Sequence, residues 1–360
     1  MNTIRNRQIG ARRTAVVIVV AVLAALLVAL AAVPESAQAR KAKKVDKIVF
    51  ASDRTSGTGV NNPEGDFEIF SINPDGTGRK QITRNAADDF EPSLSPDGGK
   101  IAFTSQNVQT SNPEGDPEVY QMNVGGSEPQ NLTNNTGDVN DFAPDYAPDG
   151  QKIAFTSRGA QTSNPEGDFE VYVMGADGSE PQNLTNTAGN LSDFASDFFP
   201  DGEKLAYSSS GIQTSNPEGD FEVYVMNALD GSGQQNLTDN AVGISDFDAA
   251  ISPGGQKIAF VSTGVQPSNP EGDDEIYGMN ADGSEQQNLT DNADGVQDDF
   301  PDYSPGGKKI VYDSDGQRPS NPEGDDDIYK MDANGSDREN LTDNGGINDV
   351  TPDFGKVRKG

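Results

Sequence analysis

The stretch KIAFTSRGAQTSNPEGDFEVYVMGADGSEPQNLT, Lys152 to Thr185, decides the fold. Two short runs, IAFTS and EVYVM, are rich in Ile, Val, Phe and Tyr and are bounded by Pro, Asp, Asn and Gly. That is strand chemistry punctuated by turn chemistry. ADGS then makes a second turn, and QNLT returns the chain. The tetrapeptide NPEG recurs at Asn62, Asn112, Asn164, Asn216, Asn269 and Asn321, always followed by Asp, with separations of 50, 52, 52, 53 and 52 residues. A period near fifty residues with several short strands is the signature of a propeller blade.

A further strand precedes each apolar segment in five of the six units. It carries Phe90, Phe142, Phe194, Phe247 or Phe300 just after an Asp, and Leu94, Tyr146, Phe198, Ile251 or Tyr303 just before a Pro turn. The first unit, starting at Lys47, lacks that strand, and the C-terminal segment Asp349-Val350-Thr351-Pro352-Asp353-Phe354 supplies its pattern. The expectation is an all-β, six-bladed propeller of four-stranded antiparallel blades over residues 47–355, closed by the C-terminal strand, with a basic linker at 40–46 and a tail at 356–360.

Composition narrows the chemistry. The chain contains no Cys, His or Trp, which removes disulfides, thiol and imidazole catalysis and histidine metal ligands. Lys and Arg total 26 against 58 Asp and Glu, a net charge of −32. A surface so acidic repels nucleic acid and anionic membrane, so the expected partners are cations or a basic envelope or extracellular protein or peptide. The protein is expected to act as a monomer.

Residues 1–39 differ from the rest. Arg5, Arg7, Arg12 and Arg13 precede an unbroken apolar run from Ala15 to Val33, followed by Pro34 and the small-x-small site Ala37-Gln38-Ala39. This reads as a secretory leader, with an uncleaved membrane anchor as the alternative, and both place the remainder outside the cytoplasm. Cleavage after Ala39 removes those four arginines and Glu35, taking the net charge from −32 to −35.

In a four-stranded blade the NPEGD loop and the segment linking to the next blade fall on one face of the ring. That collects Glu64, Asp66, Glu114, Asp116, Glu166, Asp168, Glu218, Asp220, Glu271, Asp273, Glu323 and Asp325 from the loops. The linking segments add Asp89, Asp141, Asp193, Asp246, Asp299 and Asp349 as a candidate binding face. The loop carboxylates are oxygen ligands of the kind Ca²⁺ takes. The competing reading is structural: Asn-Pro-Glu-Gly matches a turn in which Asn bonds its own backbone, Pro fixes the second position and Gly closes it. Each Asp ahead of the inner strand can likewise cap a loop amide. The Asp-rich segments 280–285 and 331–337 fall where hairpin turns are required. The Asn-Leu-Thr triplets at Asn131, Asn183, Asn236, Asn288 and Asn340 match the glycosylation acceptor pattern but recur with the repeat.

SPDGGKIAFTS (Ser95 to Ser105), EVYVMGADGS and NLT together resemble the TolB-type propeller, a WD-like repeat of bacterial envelope and secreted proteins, over about residues 45 to 355. This chain has Leu94, Tyr146, Phe198, Ile251 and Tyr303 where that family often has Trp, and it shows no preceding α/β domain. The resemblance implies an exported binding or scaffold protein. Two other functions stand beside it. One is a glycan hydrolase or lyase working through carboxylates alone, which should show unique acids in one blade. The other is a purely structural acidic envelope protein.

Overall fold

The computed structural model describes residues 43–358 apart from 108, 138, 187–190, 292–294, 318 and 344. The leader expected over residues 1–39 lies outside the described residues. Six four-stranded antiparallel sheets follow one another around a ring. Blade 1 runs from the inner strand Asp349–Arg358 through Lys44–Ser52 and Glu68–Ile72 to Lys80–Gln81. Blade 2 uses Asp88–Leu94, Lys100–Gln106, Glu118–Asn123 and Gln130–Asn131, and blade 3 uses Asn140–Tyr146, Lys152–Arg158, Phe169–Gly175 and Gln182–Asn183. Blade 4 comprises Ser192–Phe198, Lys204–Ser210, Glu222–Asn227 and Gln235–Asn236. Blade 5 comprises Ser245–Ile251, Lys257–Thr263, Glu275–Asn280 and Gln287–Asn288, and blade 6 Asp298–Tyr303, Lys309–Ser314, Asp327–Asp332 and Glu339–Asn340.

The second and third strands of each blade are buried on both faces because neighbouring blades stack against them. The packing therefore lies between blades. Val49, Ile69, Ile101 and Phe103 join blades 1 and 2, while Phe50, Phe70 and Phe354 join Val311 and Ile328 across blades 1 and 6. Ring closure by the tail is as expected, and its register sets Ile48 opposite Phe354 and Ser52 opposite Asp349. The pairing continues further than the sequence indicated. Lys44, Val45 and Asp46 pair with Arg358, Val357 and Lys356, so residues 44–46 are strand rather than linker and 356–358 strand rather than tail. The charged alternation KVDK hides a half-exposed strand end in which Val45 and Lys47 are partly buried, Val45 packing against the core between blades 1 and 2.

Every inner strand carries an irregularity in its pairing, for example between Phe90 and Ser93 and between Phe247 and Ala250. Glu91, Ala143, Asp248, Phe300 and Thr351 sit at these bulges with φ near 50°. A bulge re-aims one side chain and sharpens the local twist. Here it turns one residue per blade into the central channel.

Candidate functional site: the central channel

The repeated loops are turns stapled by their asparagine. Asn164 is 1% exposed; its Nδ2 donates to the Asp168 carbonyl at 2.7 Å and its Oδ1 accepts the Gly167 amide at 2.9 Å. The same pair of bonds recurs at Asn62, Asn112, Asn216, Asn269 and Asn321. Gly167 holds φ 76°, and a Cβ there would meet the Ala160 amide at 3.0 Å, so the fourth position requires glycine. Glu64, Glu114, Glu166, Glu218, Glu271 and Glu323 all point to solvent, while the loop aspartates are half-buried, Asp273 fully so. Among the described residues, neither carboxylate oxygen of Asp66, Asp168 or Asp273 has a hydrogen-bond partner, and desolvation raises the pKa of Asp66 and Asp168. Among the described residues no three Asp or Glu side chains are grouped so as to hold a metal ion.

The aspartates of the linking segments do not form an exposed face. Asp89, Asp141, Asp193, Asp246 and Asp349 are at most 1% exposed. Asp89 donates its backbone amide to the Phe67 carbonyl at 2.7 Å and accepts from Asn85 Nδ2 at 2.7 Å. Each helps tie a linking loop over its blade, and burial pushes Asp89, Asp141 and Asp246 up to about 7. Beside Asp89 lies Glu68, also pushed up to about 7 by burial, which accepts the Asn85 amide at 2.8 Å.

Asp299 departs from this set. In blade 6 the buried position, opposite Ser314, belongs to Asp298, and Asp299 is one residue further along, opposite Asp313. The run Asp298-Asp299-Phe300 contains two possible starts. The inner-strand pattern aligned on Phe300, whereas the strand aligns on Asp298, which leaves Phe300 at the bulge and Asp299 where blades 2 to 5 have phenylalanine.

That shift exposes the part of the molecule where the repeat breaks down. The channel encloses a cavity of about 630 Å³, with Glu91, Phe142, Phe194, Asp248 and Phe300 in its wall. In blades 3 and 4, Phe142, Phe169, Phe194 and Phe221 form a continuous aromatic wall, with ring centroids 5.7, 4.6 and 5.7 Å apart in succession. The positions of Phe169 and Phe221, directly after NPEGD, are Asp274 and Asp326 in blades 5 and 6. Burial, then the Asp274 and Asp248 charges, pushes Asp299 up to about 8. Burial and the Glu91 charge push Asp248 up to about 7. Asp313 is 5% exposed, its Oδ1 lacks a partner, and burial with the Asp299 charge raises its pKa well above the ordinary range. Blades 5 and 6 thus carry acids at the channel wall that the other blades do not. The substitutions NPEGDF to NPEGDD are visible in the sequence, and their weight becomes clear only once both sets face one channel.

Deeper in the channel, one side chain per blade links to the next blade. Ser93 Oγ accepts the Tyr146 amide at 3.2 Å, Asp145 the Phe198 amide, Asp197 the Ile251 amide at 2.6 Å, Asp302 the Phe354 amide at 2.5 Å, and Asp353 the Leu94 amide at 3.2 Å. Ala250 occupies the sixth place and offers no acceptor. Desolvation raises the pKa of all four aspartates, and repulsion from the other carboxylates of the ring adds to it at Asp197, Asp302 and Asp353.

The remaining sequence candidates are structural. Asn183 Oδ1 accepts the Thr185 and Asn186 amides and its Nδ2 donates to the Ser163 carbonyl, an arrangement repeated at Asn131, Asn236, Asn288 and Asn340. Residues 280–285 and 331–337 are hairpin turns.

Comparison with known proteins agrees with this architecture. The family described as the TolB beta propeller domain matches residues 46–161, from blade 1 into blade 3. A TolB homolog of Chlorobium luteolum is 30% identical over 175 residues, covering 49% of this chain and 34% of that protein. The chain thus matches about a third of that relative's length. Among solved structures, TolB from Acinetobacter baumannii superposes with a TM-score of 0.64 at 21% identity, covering 86% of this chain and 66% of that one. Hydrazine synthase of Kuenenia stuttgartiensis superposes with a TM-score of 0.64 at 19% identity, covering 88% and 47%, so the fold alone is shared across proteins with different names. With the TolB beta propeller model matching the first blades and the same unit recurring through the rest, the chain is a six-bladed β-propeller whose repeats are similar to those of TolB.

Proposed function

We propose that this protein is an exported, non-catalytic binding propeller whose ligand enters the central channel from the side of the linking loops. The observation that carries the reading is the loss of repeat symmetry at the channel wall. Asp299 stands where blades 2 to 5 have phenylalanine, and the channel-facing bulge position, alanine in blades 3 and 4, holds Glu91, Asp248 and Phe300 in blades 2, 5 and 6. A carboxylate hydrolase is less well supported. Glu91 is held by the Thr104 hydroxyl at 2.8 Å and the Ala143 amide at 2.7 Å, which occupy it as an acceptor and fix it in place. Export rests on the basic and apolar character of residues 1–33 and on the Ala37-Gln38-Ala39 site.

The test is capture from envelope extract by the mature protein, with and without Ca²⁺, against the variant Thr351→Phe. Phe300 already occupies the equivalent bulge with φ 50°, against 52° at Thr351, so the backbone accepts a phenylalanine there while the channel narrows. The expected result is a partner captured by the parent and lost by the variant. Equal capture by both would place binding elsewhere, and Ca²⁺-dependent capture would return the loop aspartates to consideration. Mass spectrometry of the exported protein should show Arg40 at its N-terminus; retention of the apolar run would indicate an anchor.

A further inference from the structure

The channel mouth divides into two chemically different halves. Blades 3 and 4 present the aromatic wall described above, whose rings are only partly buried. Blades 5 and 6 present Asp274, Asp299 and Asp326 at three of the four corresponding positions, blade 5 keeping Phe247 at the fourth, and add Asp248 at the bulge, with Asp313 paired opposite Asp299. In a ring of six, blade 3 stands opposite blade 6, so Phe142 faces the acidic half.

Three independent features show that the acidic half is more than a solvated surface. First, Asp313 is 5% exposed and keeps an orphaned carboxylate oxygen, opposite the half-buried Asp299. A buried carboxylate oxygen without a donor is costly, and native structures rarely leave one unexplained. Second, no basic side chain is among the charges acting on Asp248, Asp299 or Asp313; their neighbours are other carboxylates. Third, Phe300 stands 37% exposed inside the channel, next in sequence to Asp299. An accessible ring face beside carboxylates favours an organic cation, which the ring quadrupole and the carboxylates attract together. A bare metal ion fits poorly, because no three carboxylates among the described residues are grouped to chelate one.

We propose that the mouth binds a protonated amine or guanidinium carried on an apolar body, with the charge held by Asp248 and Asp299 in front of Asp313 and beside Phe300, and the apolar body lying on Phe142 and Phe194. This inference rests on the reading of the channel as a binding site and supplies the chemical class of its ligand. Such a group can belong to a free amine or to a Lys or Arg side chain flanked by an aromatic residue in a peptide. The cavity of about 630 Å³ accommodates either a small aromatic amine or the end of a peptide chain.

The experiment is calorimetric titration of the full-length mature protein with phenethylammonium, with the amides of the dipeptides Lys-Phe and Arg-Phe, and with two controls that keep the ring and lose the cation, 2-phenylethanol and phenylacetate. Saturable binding is expected for the amine or for at least one peptide, with a Kd of about 1 mM or tighter. The controls should bind at least about tenfold more weakly, and Asp248→Asn with Asp299→Asn should weaken the cationic ligands by a similar factor or more. Removing unpaired acids relieves repulsion, so the double variant should fold, and its melting curve verifies this. Phe194→Leu should reduce phenethylammonium binding while leaving methylammonium unaffected. Binding of the amine alone assigns a free-amine ligand, and binding of a peptide alone a peptide ligand. Failure of all three cationic probes, or equal binding of 2-phenylethanol, overturns the proposal. If extract capture survives Asp248→Asn with Asp299→Asn but not Thr351→Phe, the channel still binds, and this ligand class is wrong.

Discussion

A chain ending at Ile347 should lose most of its resistance to heat and become prone to aggregation. The deletion removes the inner strand Asp349–Arg358, which pairs with Lys44–Ser52 along almost its whole length. It also removes Phe354 and Val357, 6% and 9% exposed, from the junctions with blades 6 and 2. Truncating one buried aromatic costs about 3–5 kcal/mol, and the lost strand pairing and exposed edge add to that. The same deletion breaks the Asp302 bond to the Phe354 amide and the Asp353 bond to the Leu94 amide, two of the five channel-side links described above. The milder variant Phe354→Ala should cost about 3–5 kcal/mol by itself. Differential scanning calorimetry of both proteins measures the effect; a truncated chain that melts with the parent would mean that blade 1 does not depend on its tail.

The protein should be more stable at pH 5.5 than at pH 8.5, the reverse of ordinary acid denaturation. Asp89, Asp141, Asp246, Glu68 and Glu118 are buried and pushed up to about 7, chiefly by desolvation. Their ordinary values lie near 4. A carboxyl whose pKa is raised by folding holds its proton more tightly in the folded state. The associated stability is therefore complete below about pH 4 and is lost as pH rises through about 7. A tenfold difference in proton affinity between the folded and unfolded chain is worth about 1.4 kcal/mol, so a loss of that size at each of only two such groups lowers the melting temperature by about 5 °C across that window. The net charge of −32 acts in the same direction, since removing protons adds self-repulsion. Salt separates the two: 0.5 M NaCl should flatten the general repulsion while leaving the buried component, which Asp141→Asn with Asp246→Asn should reduce. A melting temperature that rises steadily from pH 5.5 to 8.5 would show that these carboxyls are ionised and satisfied in the folded protein.

Most of the architecture was legible because each blade repeats its strand and turn signals. Six copies of NPEGD fix the period, and the missing inner strand of the first unit points to Asp349–Phe354. The ends of the closing pair were not legible: Lys44 to Asp46 and Lys356 to Arg358 are polar enough on the solvent side to resemble linker and tail. The site was harder to read for two reasons. The aspartates that recur in every blade attract attention, yet recurrence is what a folding role produces, and Asp89 with its equivalents is buried under linking loops. The residues that distinguish the channel are single departures, such as Asp299 for phenylalanine or Asp274 for Phe169. They become meaningful only when the ring brings blades 3 and 6 face to face.

The ring of side-chain links around the channel has one place left open, at Ala250, between blades 5 and 6. A circular structure under thermal agitation parts where its joints are weakest, and local opening precedes global unfolding. The joint made from the two chain ends is reinforced by a ten-residue strand and a cross-blade carboxylate, whereas the joint between blades 5 and 6 lacks the channel-side carboxylate link and is held by packing and by bonds nearer its ends, such as the Asp298 amide to the Asp274 carbonyl and Arg338 to the Leu289 carbonyl. Breathing of the ring should therefore begin in the middle of the sequence, beside the acidic half of the mouth. Hydrogen exchange can detect this: the Tyr303 amide should exchange before those of Phe198, Ile251 and Phe354, and equal protection of all four would mean that packing, not the carboxylate chain, holds the ring shut. A ligand bridging the two halves of the mouth would then act as the missing clasp and suppress that motion as it binds.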